Sequence, residues 1–158
     1  MKLPYEEGSW FAVPLRKPGF AIGVVARATS KGKVLGCYFF GPVRSIVPSL
    51  GELEGVRTVD SVAVYMIGDL YLLKGRWPII GKHKSWDRTK WAMPTFLRQE
   101  EFSGRKWKVY YSDTDPNKVE KEELCSECDT TSFPKDSLLG AGVVEVRLTQ
   151  LLAELGKI

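Results

Sequence analysis

The sequence predicts an α+β fold that is mainly β: a twisted antiparallel sheet or small, partly open barrel, with a short middle helix and a C-terminal helix. Three observations predict it. Short apolar segments rich in β-branched and aromatic residues recur along the chain, each closed by a Gly- or Pro-containing turn. These strands do not alternate with long helical patterns, which argues against a doubly wound parallel sheet. The last segment carries leucines at helical spacing.

The elements follow in order. Residues 8–15, GSWFAVPL, read as a strand with Trp10, Ala12 and Pro14 on one side and Phe11, Val13 and Leu15 on the other. Pro14 cannot donate to a ladder, so it marks an edge or a strand end. Lys17-Pro18-Gly19 turns the chain into a second strand, FAIGVVARA at 20–28. Ser30-Lys31-Gly32-Lys33 turns it into a third, VLGCYFF at 34–40, which Gly41-Pro42 ends. Three strands on short turns form an antiparallel meander. Ser49 with Glu52 three residues on is a capping-box pattern for a short helix. Further strands are expected over 60–67, 70–73, 77–80 and 105–111. The stretch 112–137 is read as a long surface excursion. A last strand over 143–148 precedes a helix capped by Thr149, with Leu148, Leu151, Leu152 and Leu155 on one face and Gly156 as terminator.

A length of 158 residues suits a single domain spanning 1–158, and the 44% hydrophobic and 27% charged fractions are those of a globular chain. No window approaches a membrane span, and the N-terminus lacks the apolar core of a signal peptide, so a cytoplasmic protein is expected. Three cysteines do not make a disulfide framework and suggest a reducing compartment. A net charge of +4 is too small to point to nucleic acid by itself. The distribution is more informative: residues 74–90 hold six Lys/Arg against one acid, and residues 113–129 hold seven Asp/Glu against two lysines.

Catalytic patterns are scarce. The single histidine, His83, sits between Lys82 and Lys84, no G-x-S-x-G is present, and phosphate-binding loops are absent. Asp69, Asp87 and Glu52 are unremarkably spaced carboxylates. Cys125 and Cys128 form a C-x-x-C pair. A structural zinc would need two further ligands, and the acids Glu122, Glu123, Glu127 and Asp129 work against a redox thiolate. Two ordinary loop thiols are the expectation, with Cys125 and Cys128 as weak metal candidates.

Residues 76–91, RWPIIGKHKSWDRTKW, stand apart. They hold three of the five tryptophans, Trp77, Trp86 and Trp91, among basic groups. Such a run serves base stacking beside phosphates, a protein interface built on Trp and Arg, or a core corner whose lysines snorkel to solvent. Trp77 is expected inside. Asp87 either pairs Arg88 or caps the turn that follows it.

Taken together, GSWFAVPL, FAIGVVARA, LGCYFFGP at 35–42, GDLYLLKGRWPIIGK at 68–82 and SWDRTKWAMPTFLR at 85–98 resemble the immunity protein 26 family of bacterial polymorphic toxin systems. The likeness covers most of the chain in order. Ser9 stands where family members usually carry an acid. The resemblance implies a protein that binds a cognate toxin and blocks it by protein–protein contact, with no catalytic residue and no cofactor. The candidate partner-binding residues are Trp86, Asp87, Arg88 and Trp91 in the tryptophan run, and Glu120, Glu122 and Glu123 in the acidic run. The competing reading is a small β-barrel module that binds nucleic acid through residues 76–91.

Overall fold

A computed structural model of the chain describes residues 2–156. It is mainly β, with two open sheets. The larger has six strands in the order β5-β1-β2-β3-β4-β9, and the smaller has three, β6-β7-β8. Strands β1 (Trp10–Pro14), β2 (Phe20–Arg27) and β3 (Val34–Arg44) form the expected antiparallel meander. Strand β4 (Ala63–Gly68) continues it antiparallel, and the two-residue β9 (Leu138–Leu139) closes that edge in parallel. Strand β5 (Ile79–Gly81) flanks β1, so β1 is internal and Pro14 marks its end.

The period-2 alternation of β1 divides two cores. Phe11 and Val13 face one side with Val25, Leu35, Phe39 and Trp77, beneath the C-terminal helix. Trp10 and Ala12 face the other with Ile22, Val24, Tyr38, Phe40 and Trp91, beneath loops instead of a helix. Gly23 makes the first face possible: a Cβ there would lie 2.5 Å from the Phe11 ring and 3.0 Å from Phe39, whose rings meet edge-on.

Several elements differ from expectation. Strand β3 runs through Gly41-Pro42 instead of ending there. The β2–β3 register shifts between Phe20 and Ile22, and such an irregularity accommodates a proline that cannot donate to the ladder. Residues 50–53 form a 3-10 turn whose Ser49 makes no side-chain cap bond. Helix α1 (Leu70–Leu73) replaces an expected strand, because the Asp69 carbonyl accepts from the amides of Leu72 and Leu73.

The largest difference is helix α2 (Ala141–Glu154), which absorbs the strand expected over 143–148. Val143, Val144 and Val146 favour strands in isolation, yet the helix buries Ala141, Val144, Glu145, Leu148, Thr149 and Leu152 as one stripe against the sheet. Packing outweighs the few tenths of a kcal/mol per residue of propensity. Glu145 belongs to this stripe because it has partners: it accepts from Trp77 Nε1 at 2.9 Å and pairs with Arg16 at 3.2 Å.

The excursion expected over 112–137 contains a strand. Strand β6 (Phe96–Gln99) pairs with β7 (Lys106–Tyr111), and β7 with β8 (Val119–Leu124), all antiparallel. Phe96, Val109 and Met66 join this small sheet to the large one. Cys125 and Cys128 are joined by a disulfide, which corrects the expectation of two loop thiols, runs against the reducing compartment expected from the cysteine count, and removes them as metal ligands in this form. Cys37 is free and buried in the sheet.

Candidate protein-binding surface

The tryptophan run is largely scaffold. Trp77 is buried, stacked on Phe11 at 5.6 Å, with its N–H on Glu145. Trp91 is 7% exposed and meets four rings: Trp10, Tyr38 and Phe40 edge-on and Trp86 in a stack at 5.4 Å. Trp86 is half-buried on that stack and lies against Gly8. Gly8 has φ +92°, and a Cβ there would lie 2.9 Å from the Trp86 ring, so the position suits glycine on both counts. A groove of about 490 Å³ runs beside Trp10, His83, Trp86 and Lys90. The indole N–H groups of Trp10 and Trp86 have no hydrogen-bond partner among the described residues. His83 is not a free loop side chain: its Nε2 lies 2.8 Å from the Leu50 carbonyl.

An arginine that the sequence reading passed over holds this run in place. Arg27, at the end of β2, is 3% exposed. Its guanidinium donates to the carbonyls of Ala26, Trp91 and Arg88 and, through Nε, to Asp113 at 2.8 Å. Asp113 also accepts from Arg88 at 2.8 Å, and Arg88 in turn reaches Glu7 at 2.8 Å. The chain Arg27–Asp113–Arg88–Glu7 thus ties the first sheet to the tryptophan run and to the start of the acidic stretch. Arg88 is a brace, not a free cation. Asp87 caps the 3-10 turn at 88–90 through the Thr89 amide and hydroxyl, the second of the two roles considered for it. The remaining carboxylates do not converge: Asp69 accepts from Tyr5, and Glu52 pairs with Arg44.

Hydrogen bonds from Arg27 and then Arg88 hold the Asp113 carboxyl below the usual range. A depressed folded pKa stabilises the fold above the unfolded value near 4 and loses that contribution as pH falls through the folded pKa. Asp113→Asn is therefore expected to flatten the acid limb of stability below about pH 4. Urea melts of both proteins between pH 2.5 and 7 check this; parallel curves would contradict it.

The acidic residues occupy a different place. Glu120, Glu122 and Glu123 lie on β8, the edge strand of the small sheet. Glu122 pairs with Arg98 at 3.1 Å, and Glu123 pairs with Lys121 and accepts from the Tyr110 hydroxyl. Glu120 sits at the register shift between Tyr110 and Tyr111, exposed and without an ion-pair partner among the described residues. Residues 96–129, the small sheet and the turn after it, hold nine acids and six bases, in a chain with 23 bases and 19 acids. This lobe is thus mildly acidic on a basic protein.

A family model for immunity protein 26 matches residues 6–108. The chain belongs to the immunity protein 26 family. Comparison with curated proteins and with solved structures gives no match in either case. The matched region of this immunity protein holds the six-stranded sheet apart from β9, the tryptophan run, Arg27 and Arg88. It ends inside β7, so β8, the disulfide and α2 lie beyond it. Ser9 is buried, and its hydroxyl accepts from the Glu6 amide at 2.9 Å. No helix among the described residues is long and apolar enough to cross a membrane.

Proposed function

We propose that this immunity protein binds a cognate polymorphic toxin and neutralises it by protein–protein contact, without catalysis or a cofactor. Family membership carries this reading. The acidic lobe supports a location for the contact. It presents β8 as an exposed edge, it is opposite in charge to the rest of the chain, and it extends past the shared family region. An acidic face accelerates encounter with a basic partner and disfavours like-charged ones. In this reading Glu120, Glu122 and Glu123 face the toxin, while Trp91 and Arg88 hold the scaffold and Trp86 and Asp87 form its rim. The nucleic-acid reading draws no support, because the rings a base would stack on are committed to the core.

Reversing Glu120, Glu122 and Glu123 together to lysine is expected to weaken binding to the toxin encoded beside this protein by about tenfold or more, chiefly through the association rate. Kinetics at two salt concentrations, with survival of bacteria co-expressing the pair, check it. Unchanged rates and unchanged salt dependence would place the contact elsewhere. A wild-type protein that neither binds nor protects would remove the function itself.

A further inference from the structure

We infer that β8 takes up an extended segment of the toxin as an added strand of the small sheet, and that this segment sets Lys or Arg opposite Glu122; this rests on the immunity reading above. The other edge of the sheet is taken. Leu97 of β6 donates through its amide to the Pro134 carbonyl at 2.9 Å, and its carbonyl accepts from the Asp136 amide at 2.8 Å. Strand β8 has no such neighbour among the described residues. The register fixes where its backbone groups aim. The Cys125 amide donates to the Lys106 carbonyl at 2.8 Å, and the Glu100 amide donates to the Arg105 carbonyl at 2.8 Å. Bonded and non-bonded pairs alternate along antiparallel strands, so Lys106, Lys108 and Tyr110 turn their backbone groups to β8, and Trp107 and Val109 turn theirs to β6. On β8, Lys121 and Glu123 are therefore bonded inward. Glu122 and Leu124 aim their N–H and C=O groups away from the sheet, at exposed positions. Such an edge is a template for strand addition.

The side chains of the strand define the occupant. Strand β8 carries Glu120, Glu122 and Glu123 against Lys121. Lys121 pairs with Glu123, Arg98 reaches Glu122 from β6, Lys108 lies opposite Glu123, and Lys118, just before the strand, pairs with Asp115 at 3.9 Å. Glu120 has no ion-pair partner among the described residues. Residues directly opposite on neighbouring strands interact, so opposite charges favour pairing and like charges oppose it. A second copy of β8 therefore fits poorly. Two-fold antiparallel pairing sets one residue against itself, and every centre from Glu120 to Glu123 puts Glu on Glu or Lys on Lys. The register shift at Glu120 and the lysine at 121 also blunt the edge against indiscriminate pairing. A short run remains open, to a strand with a cation opposite Glu122 and an apolar residue two positions away opposite Leu124, which is 56% exposed.

The test uses the full-length protein and the toxin domain encoded beside it, inactivated by mutation for handling. Glu122→Pro deletes an outward N–H and no bond to β7, so it is expected to weaken binding about tenfold or more. Glu122→Gln keeps the amide and removes only the charge, so it should cost less, chiefly in association rate. The wild type is also read amide by amide, by exchange in NMR, which needs no variant to fold. The Glu122 and Leu124 amides should exchange freely in the free protein and slow when toxin saturates it, while those of Lys121 and Glu123 are slow in both. If toxin binds and the Glu122 and Leu124 amides exchange as before, or if Glu122→Pro binds as wild type does, strand addition is refuted and the immunity reading stands. If wild type itself does not bind, both fall. If those two amides slow with rising protein concentration in the absence of toxin, the edge pairs with a second copy and the inference is overturned.

Discussion

Trp91→Ala is expected to destabilise the protein by about 3–5 kcal/mol, the usual cost of truncating a buried tryptophan. The ring is the hub on which Trp10, Tyr38, Phe40 and Trp86 converge. Among the described residues no α-helix packs into this cluster, so its core depends on the 3-10 turn at 50–53 and on the loops that Trp91 anchors. Removing the ring leaves a cavity and frees Trp86, whose stacking partner is gone. A drop in melting temperature of roughly 10 °C or more corresponds to such a loss for a chain of this size. Trp86→Ala, at a half-buried position, should cost much less. If Trp91→Ala melted normally but lost the toxin, the run would be an interface instead of scaffold.

Arg27→Met ranks second, at about 3 kcal/mol or more. Methionine fills much of the volume but donates nothing. The carbonyls of Ala26 and Trp91 lose this donor, the Arg88 carbonyl keeps only the Trp91 amide, and Asp113 keeps only Arg88. A buried acceptor stripped of its partner retains its full desolvation cost. Arg27→Lys should recover only part of the stability, since one ammonium cannot span the fork that reaches several carbonyls and a carboxylate at once. Because Arg27 and Trp91 hold the same turn, their double variant should lose less than the two single losses combined. Chemical denaturation of the three variants measures this; full additivity would show that the turn is not a shared unit.

How much of this was legible in the sequence depends on solvent contact. Strands β1, β2 and β3 could be read because each buries both faces between two cores, leaving apolar runs cut by glycine and proline turns. Strand β8, VEKEEL, could not: it is an edge strand with most side chains in water, so nothing forces apolar alternation and its charges resemble a loop. Helix α2 was half-read. Its leucines showed the helical period, but its valines imitate a strand, and the buried Glu145 interrupts the apolar stripe unless its partners Trp77 and Arg16 are known. Arg27 gave little signal, because its carboxylate lies 86 residues away and pairs at that separation leave no local pattern. A lone arginine closing an otherwise apolar strand was the one available hint.

The residues that hold the fold and the glutamates assigned to the partner therefore separate in space. Trp77, Trp91, Arg27 and Arg88 support the fold within the matched region. The glutamates of β8, beyond that region, lie on the edge strand of the small sheet. A scaffold of this kind can keep its core while its lobe is altered to fit a different toxin.

Backbone hydrogen exchange, recorded on the immunity protein alone and saturated with its toxin, tests this division most directly. Slowed exchange over residues 119–127, with residues 86–91 unchanged, is the predicted result. Protection confined to residues 86–91, with the lobe exchanging as in the free protein, would contradict it.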